Sequence, residues 1–406
     1  MYTLIFTALH VAASADISPT FTVVSPADER RSGQIVLLNP DFSVVVTEGL
    51  RETTIKDVFS LRRIDRPLPP PPTGPHLITT TGDRIAGVLT GGDTQSLRYL
   101  PSGLKLKAED AWKVPLSSTA VVWLLTTPAD TPTDPVRYDW LAGNRNRDVF
   151  RFRNGDIDLG TLTGLDPDAG EPQFAFRSAQ GAVRTLRGDE LVAVGFNAAL
   201  ARTRKPKGPY AHVILMNSSR LDILTPMIAA DVLTGETLFG LKVRIPISDI
   251  LSLDVLQGKA TYLSDMKPKK VEQTGFLSVT WPWVADRNVQ GASLQVETPA
   301  GKSTFDKGLG THPRSVLNYD LGGKFNRFEA IVGLDPEAHV RSQAALRVLV
   351  DGKEQDIPGL ATLKAGNAIP IRVNVRGAKE LSLVTDFGST GGVGADVNWC
   401  EARVIE

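Results

Sequence analysis

The chain lacks several features that would identify its class at once. It has one cysteine, Cys400, in 406 residues, which excludes an internal disulfide framework and a cysteine-based zinc finger. Its 45 basic and 45 acidic residues cancel, so it has no electrostatic footprint of a nucleic-acid binder or polybasic membrane protein. No apolar run reaches the roughly 20 residues that cross a bilayer. The five histidines show no metal-ligand spacing.

Turn-forming residues are abundant instead. The 36 glycines and 27 prolines are typical of an all-β protein with many short strands. A hydrophobic fraction of 42% is ordinary for a globular chain, so we expect buried cores rather than disorder. Domains of roughly 100–200 residues would divide this length into two to four units.

We interpret residues 1–15 as a secretory signal peptide. Residues 2–15 are apolar and small, and Ala13-Ser14-Ala15 has the small-x-small pattern of a cleavage site. No lysine or arginine precedes Arg30, so the usual basic start is missing; an N-terminal strand or a mis-set start codon are the alternatives. Export predicts a secreted or periplasmic protein.

Four degenerate repeats precede residue 260. Ile55–Leu61 and Ile247–Leu253 share the frame Ile-x-Asp-aliphatic-x-Ser-Leu, and a strand opening with glycine recurs at Gly33, Gly87 and Gly160. Short strands between turn residues, with no helical period, predict tandem small SH3-like or Sm-like barrels. The predicted barrels span residues 20–66, 76–126, 147–200 and 210–258.

Small barrels of this type can bind RNA, but that use favours basic loops interleaved with stacking aromatic residues. The arginine-rich segments 145–153 and 202–207 lie near compensating acids, so we expect no nucleic-acid binding. The proline-rich segment Arg66–Gly74 predicts a stiff, extended spacer. We therefore expect the barrels to act as spacers or as docking units for protein partners.

Residues 260–406 have a different character. Short strands with turn punctuation continue to the end, and Asp351-Gly352 between an apolar strand and Lys353 predicts a type I′ hairpin turn. Evenly spaced strands over this length predict a β-sandwich or jelly roll. Cys400, beside Trp399 in an apolar setting, is expected to be an inert core thiol.

Several segments of this region occur in a family-specific order. They are Lys307–His312, Val316–Gly323, Phe325–Phe328, Val332–Asp335, Val348–Lys353, Gly377–Leu383 and Asp396–Trp399. This order resembles the NPCBM family of carbohydrate-binding modules, and Tyr262–Asp265, Trp281–Trp283 and Asp286–Val289 are similar to planctomycete-type members. The resemblance implies a galactose-binding-like jelly-roll fold.

The resemblance also implies a glycan partner, with galactose-containing sugars as candidates, and in some members a structural calcium; we expect no other cofactor. The family often has Asp-His before its late tryptophan, whereas this chain has Asp396-Val397-Asn398-Trp399. That difference bears directly on the glycan pocket, where Asn398 could supply hydrogen bonds instead.

A sugar site needs an aromatic face for the C–H surface of the ring and fixed polar groups for its hydroxyls. The aromatic candidates are Trp281, Trp283 and Trp399, with packing in the sandwich core as the alternative. In a strand, residues two apart point to the same side, so the first two could share a face. The polar candidates are Arg287, Asn288, His312, Arg314, Asp396 and Asn398, and the calcium candidates in turns are Asp335, Glu337 and Asp386.

Enzyme signatures are weak. There is no Gly-x-Ser-x-Gly elbow, and the glycine-rich loop Gly388–Gly394 opens no predicted helix that could cradle a phosphate. We therefore predict a non-catalytic, exported carbohydrate-binding protein, all-β, with tandem barrels followed by the jelly roll. The alternative is a structural or adaptor protein that binds other proteins and no sugar; a glycoside-active enzyme is disfavoured.

Overall fold

The chain is built of β-strands and short 3₁₀ turns. The computed structural model describes residues 18–127, 135–142, 145–166, 172–275, 280–298, 301–389, 391 and 394–406. Within these ranges it contains 34 strands, eight 3₁₀ turns and no α-helix, so the chain is all-β. The segment 1–15, interpreted as a signal peptide, lies outside them. In the described part of the chain, no helix has the length and hydropathy to cross a membrane.

The first twenty strands form four units of five. Unit 1 contains β1 (Thr20–Val24), β2 (Arg30–Leu38), β3 (Val44–Glu48), β4 (Arg51–Ile55) and β5 (Ser60–Arg63). Unit 2 contains β6 (His76–Thr79), β7 (Arg84–Gly92), β8 (Ser96–Pro101), β9 (Trp112–Pro115) and β10 (Thr119–Trp123). Unit 3 contains β11 (Asp148–Phe152), β12 (Ile157–Asp166), β13 (Gln173–Ser178), β14 (Val183–Arg187) and β15 (Leu191–Gly195). Unit 4 contains β16 (Tyr210–Leu215), β17 (Arg220–Ala229), β18 (Val232–Thr237), β19 (Lys242–Pro246) and β20 (Ile250–Leu256).

All four units share one antiparallel pairing order. The first strand pairs with the second and the fifth, the second with the third, and the third with the fourth. The ladder between the second and third strands shifts register in every unit, as a strand that bends does. The 3₁₀ turns in and after these units are Ala108–Asp110, Leu116–Ser118, Pro135–Arg137, Gly188–Glu190, Ala198–Leu200 and Ile247–Asp249.

The recurring glycines have a steric cause. At Gly33, Gly87 and Gly160 on the second strand, an added Cβ would lie less than 3.0 Å from a carbonyl oxygen of the third strand. Only glycine tolerates so close an approach of two backbones. In unit 4 the glycine stands on the third strand instead, where a Cβ on Gly235 would collide with the second strand. This exchange explains why the sequence repeat is weak in the fourth unit.

The units associate in pairs rather than as a string of beads. Strand β5 of unit 1 pairs with β20 of unit 4, and β10 of unit 2 pairs with β15 of unit 3. One buried apolar cluster runs through all four units. The proline-rich linker is anchored as well, because Arg220 donates to the carbonyls of Pro69 (2.6 Å) and Pro70 (3.0 Å). The segment expected to be an extended spacer is therefore part of this N-terminal body.

Fourteen strands form the C-terminal domain. They are β21 (Ala260–Tyr262), β22 (Lys270–Gln273), β23 (Val284–Ala285), β24 (Leu294–Thr298), β25 (Gly301–Phe305), β26 (Gly308–Thr311), β27 (Ser315–Asp320), β28 (Arg327–Leu334), β29 (Gln343–Val350), β30 (Lys353–Glu354), β31 (Leu363–Lys364), β32 (Ile369–Asn374), β33 (Glu380–Phe387) and β34 (Val397–Ile405). Its 3₁₀ turns are Leu263–Asp265 and Leu360–Thr362.

These strands make a β-sandwich. One sheet has the order β23-β26-β34-β28-β32 with β21 beside β34, and the other has β22-β27-β33-β29-β30 with β31 beside β29. Alternate residues of each sheet fill a shared apolar core that includes Phe328, Tyr319 and Trp399. The predicted Asp351-Gly352 turn is confirmed, with φ of 49° and 78°.

A small hairpin, β24–β25, covers the outside of the first sheet. Leu294 and Val296 of β24 bury Cys400. This burial raises the pKa of the thiol well above its usual value. The expected position of Cys400 in a core is confirmed, and a thiol held neutral and away from solvent is expected to be unreactive.

The N-terminal body and the C-terminal domain meet through buried charges. Arg62 of unit 1 donates to Asp254 of unit 4 (2.7 Å) and to Glu401 of β34 (2.9 Å). Arg403 donates to the other oxygen of Glu401 (2.8 Å). The charges satisfy each other across three strands from different parts of the chain, which holds the two bodies in one orientation.

Candidate functional site

Strand register brings three polar loops together at one edge of the first sheet. Val397, the first residue of β34, pairs with both Thr311 at the end of β26 and Leu334 at the end of β28. The next residue in each loop therefore leaves the sheet at the same level. These three residues are His312, Asp335 and Asp396.

His312 and Asp396 form the centre of the candidate site. The Nδ1 of His312 lies 2.6 Å from Oδ1 of Asp396, and both side chains are largely but not wholly buried. Because a carboxylate only accepts hydrogen bonds, Nδ1 is the donor and Nε2 is left as the free face of the ring. Among the described residues, none makes a hydrogen bond to that Nε2. The pair is thus an oriented imidazole with one nitrogen available to a ligand.

Trp281 supplies an aromatic surface next to this pair. Its side chain is 41% exposed, and its ring centroid lies 5.9 Å from that of His312. Gln273 of β22 fixes the segment by donating to the Trp281 carbonyl (2.8 Å). The sequence analysis required an aromatic face beside fixed polar groups. The exposed indole of Trp281 beside the oriented imidazole of His312 is such an arrangement.

The predictions for the other two tryptophans need correction. Trp399 is wholly buried and donates through Nε1 to Thr385 (3.3 Å), so it packs the sandwich and offers no face to a ligand. Trp283 is half-buried against the same core. It does not share a strand face with Trp281, because β23 begins only at Val284 and the two-residue alternation does not apply before it.

A buried amide cluster supports the loops from beneath. Asn288 and Asn398 both donate to Oδ2 of Asp335, at 2.8 and 3.0 Å, and all three side chains are buried. The backbone N–H of Asp335 donates to the carbonyl of Asp396 (2.9 Å). The predicted ligands Asn288 and Asn398 therefore position the loop that carries Asp396, and their buried amides do not face solvent.

The three calcium candidates do not come together. Asp335 is occupied by the two amides, and Glu337 is 87% exposed beside Lys302. Asp386 lies 3.7 Å from Arg314 and 3.8 Å from Arg347. Across the described ranges, no group of three histidine, cysteine or acidic side chains has the arrangement of a metal site. Calcium binding by these residues therefore has no geometric support here.

Two other predicted ligands lie apart from the pair. Arg314 is half-exposed and faces Asp386. Arg287 lines a cavity of about 580 Å³ between the N-terminal body and the C-terminal domain. Burial and the neighbouring Arg84 lower the pKa of Arg287 to about 10, which still leaves it charged at neutral pH.

The sequence reasoning missed Gln290. Its Nε2 donates to Oδ2 of Asp396 (3.2 Å), so the carboxylate is held from both sides. Arg137, in the segment between units 2 and 3, donates to the Gln290 carbonyl. No spacing or motif marks Gln290, since its contact depends on how the loop after β23 folds over the sheet.

The comparison with protein-family models concerns this same domain. The family model described as the NPCBM/NEW2 domain matches residues 259–405, so the resemblance to the NPCBM family is confirmed for the C-terminal third. A curated protein of Renibacterium salmoninarum, named "Putative endo-alpha-N-acetylgalactosaminidase", is 30% identical over 151 residues. That match covers 36% of this chain but only 10% of the relative, so this chain spans about a tenth of that protein's length.

Two solved structures are similar to the chain at 24% identity and a TM-score of 0.33. One is the CBM51 of Clostridium perfringens GH95 in complex with methyl-galactose, of which 99% is covered along with 36% of this chain. The other contains CBM51-2 in complex with GlcNAc and the INT domains of Clostridium perfringens ZmpB, of which 36% is covered along with 43% of this chain.

Proposed function

We propose that the chain is a non-catalytic carbohydrate-binding protein whose C-terminal domain binds a saccharide at Trp281, His312, Asp396 and Gln290. The observation that carries the proposal is the exposed Trp281 ring beside the His312–Asp396 pair. The NPCBM/NEW2 match to residues 259–405 supports the same ligand class. The aromatic face suits the C–H surface of a sugar ring, and the fixed polar groups suit its hydroxyls.

The recognition step requires no chemistry. The free Nε2 of His312 accepts from a sugar hydroxyl, while the amide of Gln290 and the carboxylate of Asp396 bind neighbouring hydroxyls as donor and acceptor. Hydrolysis would need two carboxyl groups on opposite sides of a glycosidic bond. Asp396 already accepts from His312 and Gln290, and Asp335 accepts from two buried amides, so we assign neither carboxylate a catalytic role.

We infer a galactose-type ligand. The curated relative is named for a sugar linkage of N-acetylgalactosamine, and the matched residues are those of the domain that holds the site. The departure from the family pattern at Asn398 bears less on the ligand than the sequence implied, because that side chain is buried under the loops. The choice among hexoses is then made by His312, Gln290 and Trp281.

We further propose that the five-stranded units are SH3-like or Sm-like barrels, with boundaries at residues 20–66, 76–126, 147–200 and 210–258. Their common pairing order and bent second strand support this assignment. Because the units share one core, they would present the sugar site from a stiff base and offer docking surface to protein partners. Export to a secreted or periplasmic location, directed by residues 1–15, fits a protein that meets glycans outside the cell.

The proposal is tested by titrating the full-length protein with galactose, N-acetylgalactosamine and lactose. Calorimetry measures the binding. Trp281→Ala should weaken binding by about tenfold or more, because the ring loses its stacking partner. Trp281→Phe keeps an aromatic face and should retain most of the affinity. His312→Ala should weaken binding at this site at least as much as Trp281→Ala does, while circular dichroism stays unchanged. Equal affinity of the wild type and Trp281→Ala would show that the saccharide binds elsewhere.

A further inference from the structure

A cavity lined by charged side chains lies between the two bodies. Its volume is about 580 Å³, within the usual size range of small-molecule sites. Three parts of the chain line it: the turn Thr79–Arg84 of unit 2, strands β16 and β17 of unit 4, and the C-terminal domain through Asp286, Arg287 and the turn Asp306-Lys307. Nothing in the saccharide site described above uses this space.

One wall is held rigid by a buried ion pair. Arg220 donates to both oxygens of Asp306, from Nε at 2.9 Å and from Nη2 at 3.1 Å, and His212 lies 3.3 Å from the same carboxylate. His212 also hydrogen-bonds Asp222 (2.7 Å). Burial lowers the pKa of His212, but the two carboxylates outweigh it and raise the pKa to about 10. The ring is therefore a cation at neutral pH.

The opposite wall is held in the same way. Lys307 donates to Asp265 (2.6 Å) and to Asp286 (2.7 Å). Side chains fixed by their own partners need no reordering when a ligand binds, so little entropy is lost. The cavity is thus preorganised on both sides.

The charges of the lining balance. Within the described residues the cavity is lined by five acids and five bases, which are Asp83, Asp222, Asp265, Asp286, Asp306, Arg84, His212, Arg220, Arg287 and Lys307. An anion would face the carboxylates near Lys307, and a cation would face the guanidinium groups of Arg84 and Arg287. Placing like charges together costs several kcal/mol. A neutral ligand avoids both penalties.

Tyr210 gives the cavity a polar group that is not used by the fold. Within the described ranges, its hydroxyl has no hydrogen-bond partner, although the ring lines the cavity. Burial and the nearby carboxylates, Asp222 first among them, raise the pKa of Tyr210, so the group stays a neutral hydroxyl. It can donate and accept at the same time.

We propose that this cavity is a second binding site, for a neutral saccharide or a similar polyhydroxylated molecule. Each sugar hydroxyl donates once and accepts twice, so it can bind both the carboxylates and the guanidinium or ammonium groups of this lining. Tyr210 and Phe305 supply the apolar surface that the C–H face of a sugar needs. The site is distinct from the one at His312 and does not depend on it.

The two sites are linked by shared elements. Lys307 and His312 stand at opposite ends of β26, roughly 17 Å apart along a strand that rises about 3.3 Å per residue. The loop after β23 serves both, because Arg287 and Ser293 line the cavity while Gln290 holds Asp396.

The test uses the full-length protein with Trp281→Ala, so that the first site is weakened. Galactose, glucose, N-acetylglucosamine, lactose and maltose are titrated by calorimetry and by saturation-transfer NMR, with galacturonate and glucosamine as charged analogues. In that background we expect at least one neutral sugar to bind with a Kd on the order of 1 mM. Both charged analogues should bind about tenfold more weakly.

Two variants then locate the binding. Ser293→Trp fills the cavity and should abolish the residual signal, whereas Ser32→Trp, on an exposed face of β2, should leave it unchanged. Tyr210→Phe should weaken the residual binding by about three- to tenfold with the fold intact.

The proposal is overturned if no neutral sugar binds in the Trp281→Ala background, or if Ser293→Trp binds as well as Ser32→Trp. Equal binding of galacturonate and galactose would overturn the neutral-ligand assignment. Failure of the first-site proposal is recognised separately, because it leaves wild type and Trp281→Ala identical.

Discussion

Units 1 to 4 and the C-terminal domain are assembled by different forces. Within the N-terminal body, neighbouring units merge through strand pairing, as at Leu253↔Leu61, and through one apolar cluster. Between that body and the C-terminal domain, buried ion pairs such as Asp306 with Arg220 are added, while Ala260 and Ile405 extend the same apolar cluster into the domain. Apolar burial is non-directional, whereas a buried ion pair costs free energy unless its geometry is satisfied. Apolar burial thus unites the units and reaches the domain, and the buried ion pairs add directional contacts that orient the domain.

The difference between the two regions indicates where each proposed function is located. The shared interior of the N-terminal body is apolar. Polar groups gather at the edge of the C-terminal sheet, around His312, and at the charged junction, around Asp306. Both sites lie at places where the apolar interior ends.

Breaking the junction should have the largest effect. Asp306→Ala leaves Arg220, only 3% exposed, and the His212 cation without their carboxylate, which should cost about 3–5 kcal/mol. We expect calorimetry to show two separated unfolding transitions in place of a coupled one. Glu337→Ala removes an exposed acid and should change stability by about 0.5 kcal/mol or less. A single transition with unchanged Tm in Asp306→Ala would mean that charge does not hold the domain.

Weakening the shared core should destabilise the body without separating the transitions. Leu253 is wholly buried in unit 4, so Leu253→Ala should lower the free energy of unfolding by about 3 kcal/mol. Leu50, fully exposed in the turn between β3 and β4, is the matched control, and Leu50→Ala should be near neutral. Chemical denaturation measures both. If Leu253→Ala affected unit 4 alone, as followed by hydrogen exchange, the single-core description would be wrong.

The junction should also depend on pH. The folded pKa of His212 is raised from 6.5 to about 10, so its contribution is fully present below pH 6.5 and is lost as the pH rises through about 10. Burial raises the pKa of Asp306, but the cations Arg220 and His212 outweigh this effect and hold that pKa well below its usual value. That contribution is present above about pH 3.8 and is lost on acidification.

The junction is therefore most stable between about pH 4 and 6.5. Raising the pH from 6.5 to about 8 should remove on the order of 2 kcal/mol from the transition of the C-terminal domain. The measurement is thermal unfolding across this range. His212→Gln should flatten the alkaline slope, and a slope that persists in that variant would assign the pH dependence to other groups.

Replacing a glycine on the second strand of a unit should have the smallest effect on stability. Gly160→Ala places a Cβ against the carbonyl of Arg177 and should cost about 1–2 kcal/mol through overpacking. Gly74 has open space around its Cα, so Gly74→Ala should be neutral or slightly stabilising. Equal stability of the two variants would show that the second strand bends without needing glycine.

Much of the architecture follows from local sequence patterns. The glycines at positions 33, 87 and 160, the Asp351-Gly352 turn and the ordered segments of the C-terminal third each predict a structure that depends on a few neighbouring residues. Steric limits on φ and on backbone approach act over such short distances, so a sequence displays them. The all-β class and the NPCBM domain are readable for this reason.

The sites were decided by tertiary structure. His312 and Asp396 are 84 residues apart and meet only because β26 and β34 pair in one register, while Asp306 and Arg220 are separated by 86 residues and by a domain boundary. Trp281, Trp283 and Trp399 are chemically identical, yet the fold exposes the first, half-buries the second and encloses the third. Alternation along a strand is local, but register, loop packing and burial depend on segments far away in the chain. The amino-acid sequence therefore determined which elements form, and long-range pairing chose the residues that can meet a ligand.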